Sequence, residues 1–335
     1  MKKHIFKIGL IAAFATAITF TSCQKMDEET KQAVVEEILS VNSVEEYNDL
    51  LAQVEKMTDE EFAQWEQQRG FTSFYTQAQK AYAGLDIDNV QTEEEVFEYV
   101  KNNAQFLQLT PDGEDYTLET TLSKYSTATQ RVLNQDQTIQ IGNDFIKVFK
   151  TGTAKTAIEN KQDLVNMADE DFDVLTTNDK IEVTRNLLPR TRDILEKAHT
   201  SRIEDDEEKN RLYAGIEIKW RVPVGDLIEH TIEYTIRPYK KTLGVWFYCS
   251  RTIEASIYLE YSYTIFGDVY PTLDDFSNYH YEGTSLITEK IQSSYVLREF
   301  GELVDVHGFN WRKISFWATS GSIPNKKCVI NEQYY

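Results

Sequence analysis

From Ile253 to Ile265 the chain alternates without a break. Ile253, Ala255, Ile257, Leu259, Tyr261, Tyr263 and Ile265 fall on one parity, and Thr252, Glu254, Ser256, Tyr258, Glu260, Ser262 and Thr264 on the other. Successive side chains of a strand point to opposite faces, so a sustained period of two demands a half-buried strand. The spacing predicts one long strand, or two joined by a sharp bend. Shorter strand-like runs at 216–222, 231–237, 244–249, 302–306 and 313–318 accompany it, with no long helical pattern between them. Such a succession predicts an antiparallel β-sandwich-like domain over residues 211–335.

The earlier half carries a different period. Ser43-Val44-Glu45-Glu46, Thr58-Asp59-Glu60-Glu61 and Thr92-Glu93-Glu94-Glu95 each set a hydroxyl three residues before a carboxylate, the capping-box signature of a helix start. Val44, Tyr47, Leu50, Leu51 and Val54 follow at helical spacing, then Phe62 and Trp65, with Gly70 placed to end the second helix. Gly142-Asn143 between two apolar runs predicts a hairpin, and residues 155–167 read as a further helix. The polar run from His199 to Asn210, centred on Glu204-Asp205-Asp206-Glu207-Glu208, reads as a boundary loop. The expected fold is therefore α+β, with a helical N-terminal half containing a small β-hairpin region. Its expected parts are a leader at 1–22, an acidic tether and first helix at 23–42, a helix-rich α+β domain at 43–200 and the β-domain at 211–335.

The leader is read from Met1-Lys2-Lys3-His4-Ile5-Phe6-Lys7, followed by an apolar run from Ile8 to Phe20. That run is short of the roughly 20 residues a spanning helix needs and fits a signal-peptide core. Phe20-Thr21-Ser22-Cys23 resembles a bacterial lipobox, with Phe20 standing where Leu is most usual. The resemblance implies lipidation of Cys23 and attachment to a membrane. The acids of Asp27-Glu28-Glu29 resemble the tag that sends Bacteroidetes lipoproteins to the outer face of the outer membrane; a solvated acidic tether would have the same composition.

A wider likeness covers roughly residues 1–150. Val41-Asn42-Ser43-Val44-Glu45-Glu46-Tyr47, Met57-Thr58-Asp59-Glu60-Glu61, Trp65-Glu66 and Gly70-Phe71-Thr72-Ser73-Phe74 are similar to segments of uncharacterised Bacteroidetes surface lipoproteins, as are Asp112-Gly113-Glu114 and Ile139-Gln140-Ile141-Gly142-Asn143-Asp144. The resemblance implies a surface lipoprotein carrying a domain of unknown function, and it brings no catalytic residues.

A formal charge of −20 repels nucleic acid and anionic lipid head groups, so membrane contact is expected through lipid alone. Lipidation of Cys23 leaves Cys249 and Cys328, whose parity permits one disulfide and equally permits two separate thiols. No Gly-x-Ser-x-Gly elbow or His-Glu-x-x-His occurs, and no phosphate-binding glycine loop. Asp169, Asp171 and Asp173 alternate like calcium ligands, but Val174 and Lys180 stand where such a loop needs Gly and Glu. No cofactor, metal or catalytic residue is expected. What remains is an aromatic set in the β-half, with Tyr258, Tyr279, His280, Tyr281 and Trp311 as candidate ligand-binding residues and Tyr270 and Trp317 in the wider group. Aromatic faces among carboxylates and amides suit sugar rings. The expected function is a non-catalytic surface binding or accessory lipoprotein, with glycan as ligand. The alternatives are an interaction subunit of a cell-envelope assembly, bound to an envelope protein, and a hydrolase whose carboxylates are hidden among 55 acids.

Overall fold

The hydroxyls at the three capping signatures do start helices. Ser43 accepts from the Glu46 amide at the head of α1 (Val44–Glu55). Thr58 and Glu61 form a full reciprocal capping box on α2 (Asp59–Arg69), which ends at left-handed Gly70. α3 (Phe74–Ala83) starts after Ser73, and Thr92 accepts from Glu95 at the head of α4 (Glu93–Asn102). In α1 and α4 the N3 carboxylate reaches one residue further back, to the amides of Asn42 and Gln91. The structure, a computed structural model, describes residues 38–185, 199–223, 227–265, 268–283, 286–297 and 303–333; side chains of 218, 227–232 and 261–311 lie outside that description.

Beyond α4 the helical character gives way, and this overturns the expected helical N-terminal half. α5 (Thr127–Val132), α6 (Gln162–Val165) and α7 (Asp169–Phe172) are single turns or little more. Strands fill the interval instead: β1 (Ser40–Val41), β2 (Leu107–Asp112), β3 (Asp115–Thr120), β4 (Thr138–Ile141), β5 (Asp144–Phe149), β6 (Gly152–Ala157) and β7 (Ile181–Arg185). The chain is mostly β. The helix expected over 155–167 shrinks to a 3-10 turn at Ile158–Asn160 and α6, because Lys155 belongs to β6, where Thr153, Ala154 and Thr156 are buried between neighbouring strands. Gly142, at φ +59, turns β4 into β5 as the Gly-Asn signal requires. β1-β4-β5-β6-β7 make a five-stranded sheet.

The second sheet has 11 strands. It takes in β8 (His199–Glu204), β9 (Asn210–Trp220), β10 (Leu227–Thr242), β11 (Val245–Tyr248), β12 (Arg251–Ile265), β13 (Asp268–Gly283), β14 (Leu286–Leu297), β15 (Leu303–Ser320) and β16 (Ile323–Gln333). Its main path runs β13-β12-β15-β14-β10-β11-β3-β2; β16 joins on β15, and β8 and β9 on β10. The polar run after His199 is thus a strand and a tight turn, not a boundary loop. Nor is the β-half a separate sandwich-like domain. β3 pairs parallel to β11, so strands from both halves share one sheet, and the described residues belong to one compact unit, Glu36–Tyr335.

The period-two stretch is one strand, β12, with Ile253, Ala255, Ile257 and Leu259 buried. They pack with Ile314, Phe316 and Ala318 of β15 and with Leu212, Ala214 and Ile216 of β9. Each fully buried Leu, Ile or Phe among them contributes about 1.5–3 kcal/mol. The helices cover other ground. α1, α2, α3 and α5 close a core over β4 and β5 that includes Trp220 of β9, and α4 packs on β2, β3 and β11 through Val96 and Val100.

Candidate functional site

A strand with one buried parity presents the other to solvent. On β12 the outward residues are Glu254, Ser256, Tyr258 and Glu260; on β15 they are Lys313, Ser315, Trp317 and Thr319; on β16 they are Lys327, Val329, Asn331 and Gln333. The register sets them in rows. Tyr258 lies opposite Ser315, which lies opposite Asn331, while Ser256 lies opposite Trp317 and Trp317 opposite Val329. Tyr258 and Trp317 are therefore diagonal neighbours on adjacent strands, a relation that brings Cβ atoms to about 7–8 Å or less. Both are partly exposed, and Val329 beside them is 53% exposed.

Each ring carries a lysine. Lys313 Nζ stands 5.0 Å from the Tyr258 ring centre, and Lys327 Nζ stands 4.2 Å from that of Trp317. Exposed contacts of this kind contribute about 0.5–1 kcal/mol each. Each ammonium lies over its ring, with Ser256 and Ser315 beside the diagonal and Asn331 beyond Ser315 on β16. The chemistry on offer is recognition: π faces for C–H groups, and hydroxyl, amide and ammonium groups for hydroxyls.

The other candidates disperse. Tyr279, His280 and Tyr281 lie in β13; they pair with Ala255, Glu254 and Ile253, and their side chains lie outside the described residues. Trp311 and Tyr270 pair with Tyr261 and Tyr263, again with side chains outside the description. Cys23 lies outside the described residues altogether. Cys249 and Cys328 are free thiols, so the disulfide that parity permits is not formed. The single hydrogen of the Cys328 thiol has the carbonyls of Leu212 and Ser201 within reach as acceptors, and burial pushes the thiol up to about 11. Of the suspected calcium ligands, Asp169 accepts from the Lys150 amide and Asp171 from the Ala168 amide, so both tie down the turn around α7. The sequence reading passed over Lys313, Ser315, Lys327 and Asn331. Their signal was the alternation Ile314, Phe316 and Ala318 against Lys313, Ser315 and Trp317.

A second polar cluster lies on the other face of β9 and β10. Glu217 accepts from both terminal nitrogens of Arg237, at 3.2 and 3.4 Å, and pairs with Lys219. Burial acts to raise the Glu217 carboxyl, but Arg237 and Lys219, with hydrogen bonds from Lys219 and Tyr213, hold it down at about 2. Nearby, Arg211 pairs with Asp112 and Glu204 and lies 3.8 Å over the Trp246 ring, tying β2, β8, β9 and β11 together. Glu217 with Arg237 joins β9 to β10, Lys219 pairs with Glu217 within β9, and Arg211 joins β9 to β2 and β8, so this cluster is a fastener.

Fold and site together define a mostly β protein with an open aromatic sheet face. No family model matches the chain, and no curated protein matches it. Among solved structures, the crystal structure of a DUF4848 family protein from Bacteroides thetaiotaomicron aligns with 89% of this chain and 100% of its own, at 15% identity and a TM-score of 0.29. At that TM-score the alignment carries no argument about fold or function.

Proposed function

We propose that this chain is an exported lipoprotein, held to the outer membrane through Cys23, that binds glycan non-catalytically on the outer face of β12, β15 and β16. The observation that carries the reading is the diagonal pair Tyr258 and Trp317, partly exposed on one sheet face with Lys313 and Lys327 beside the rings. A sugar ring has an apolar C–H face and a rim of hydroxyls. Two aromatic side chains on adjacent strands offer an extended chain more contact surface than a single small molecule needs. Ser256 and Ser315 beside them, and Asn331 beyond Ser315, offer both donors and acceptors.

A glycan array read with the protein begun at residue 24 tests the binding. The expected result is retention of at least one polysaccharide, with an affinity that drops about tenfold, or 1.4 kcal/mol, in Trp317→Ala and in Tyr258→Ala. Both rings are partly exposed and each gives up one lysine contact, so stability in a thermal melt should fall by only about 1 kcal/mol. Silence across the array, or undiminished retention by the double variant, would sink the reading. Membrane attachment is tested separately, by loss of fatty-acid labelling in Cys23→Ala.

A further inference from the structure

A cavity of about 310 Å³ opens between β5, the turns at 103–106 and 134–137, and the segment leading into α7. It stands at the small end of the range for small-molecule pockets, about 300–1,000 Å³. Its most buried lining residues are Gln137, Lys147 and Phe149, which are 7%, 8% and 1% exposed. Gln105, Asp136, Lys150, Asp169 and Glu170 complete the polar lining.

Three features mark it as a built site. Lys147 is buried yet charged: its Nζ donates to the Val165 carbonyl at 2.9 Å, and an ammonium has three hydrogens to place. Burial pushes its pKa down, against the opposing pull of Asp136, Asp169 and Asp171. Gln137 adopts φ +62, a left-handed conformation that costs a residue with a Cβ about 1–2 kcal/mol. It is held there by its amide donating to the Asn134 carbonyl, its carbonyl accepting from Val148, and its side chain donating to the Gln105 carbonyl. Backbone strain of this kind gathers at binding sites. Finally, the charges interleave: Lys150 Nζ stands 3.7 Å from Asp169, and Gln105 leans 3.5 Å toward Asp136.

The signs of those charges define the ligand. An anion entering would meet Asp136, Asp169 and Glu170, and a cation would meet Lys147 and Lys150. A hydroxyl both donates and accepts, so a ring of hydroxyls can satisfy carboxylates and ammonium groups together. We infer that this cavity binds one neutral polyhydroxylated molecule of monosaccharide size, with its hydroxyls between Lys147 and Asp136. The site lies on the five-stranded sheet and is independent of the aromatic face proposed above.

Titration calorimetry of the detergent-solubilised full chain with glucose, galactose and myo-inositol as neutral probes, and with glucosamine and glucuronate as charged ones, tests it. At least one neutral probe should bind in the millimolar range, with little change as salt rises to about 0.5 M, because a neutral ligand carries no charge to screen. Both charged probes should bind more weakly. Asp136→Ala, a change at a half-buried position, should weaken binding about tenfold. Lys147→Met should do the same, and Asp136→Ala decides the matter if that variant fails to fold. Trp317→Ala should leave this binding untouched, so failure here and failure of the aromatic face are read separately. Binding by none of the neutral probes, preference for a charged one, or native affinity in Asp136→Ala would overturn the inference.

Discussion

Replacing Glu217 with Gln keeps the shape of the side chain and removes the charge that Arg237 and Lys219 share. The side chains are 12%, 15% and 8% exposed, so the cations left behind cannot turn freely to water. Breaking one partner out of a buried pair costs about 3–5 kcal/mol. The carboxyl itself supplies a second route to the magnitude. Its pKa falls from 4.5 to about 2 on folding, which corresponds to about 3 kcal/mol at neutral pH. A depressed folded pKa gives stability that is present above the unfolded value and is lost as pH falls toward the folded one. The contribution should therefore be complete at pH 7 and about half gone at pH 3. Urea unfolding of native protein and Glu217→Gln at both pH values measures this directly. The gap in unfolding free energy should be about 3 kcal/mol at pH 7 and shrink to about half that at pH 3, with unchanged m-values. A gap that stays constant with pH, or one below about 1 kcal/mol, would show that the charge network does not hold β9 to β10.

Three further outcomes follow from local geometry. Gly152→Ala would drive a Cβ into Phe172 and the Thr184 carbonyl, and a thermal melt should show a loss of about 1–3 kcal/mol. Thr58→Ala removes the hydroxyl half of the capping box on α2 and should cost about 1 kcal/mol by the same assay. A thiol reagent at pH 8 should label half-buried Cys249 before buried Cys328, which should react only as the protein unfolds. Fewer than two reactive thiols from these positions in non-reducing denaturant would contradict the free state.

Local chemistry was legible from the sequence, and distant pairing was not. Ser43, Thr58 and Thr92 marked helix starts because a cap is settled within four residues. Ile253 to Ile265 declared a strand because one face is buried along its described length. Lys155 deceived because its neighbours Thr153, Ala154 and Thr156 owe their burial to strands on either side, which no local period records. The acids at 204–208 looked like a loop, yet they close a hairpin whose strand needs little apolar surface, being fastened by Arg211 to Glu204 and Asp112. The aromatic face was half seen. Tyr258 showed itself as the bulky residue on the polar parity of its strand. Its partner Trp317 and the two lysines became a site only when the β12–β15–β16 register placed them together.

The parallel contact of β3 with β11 bears on how the chain comes into being. Asp115 meets Trp246, a partner 131 residues later. During synthesis the β2–β3 hairpin therefore emerges long before the edge it will occupy exists. Contacts of such separation slow folding, and unpaired strand edges invite association with other chains. No cut near residue 205 should yield two independently soluble fragments, and the two pieces made together should complement one another, because each holds one side of a single seam.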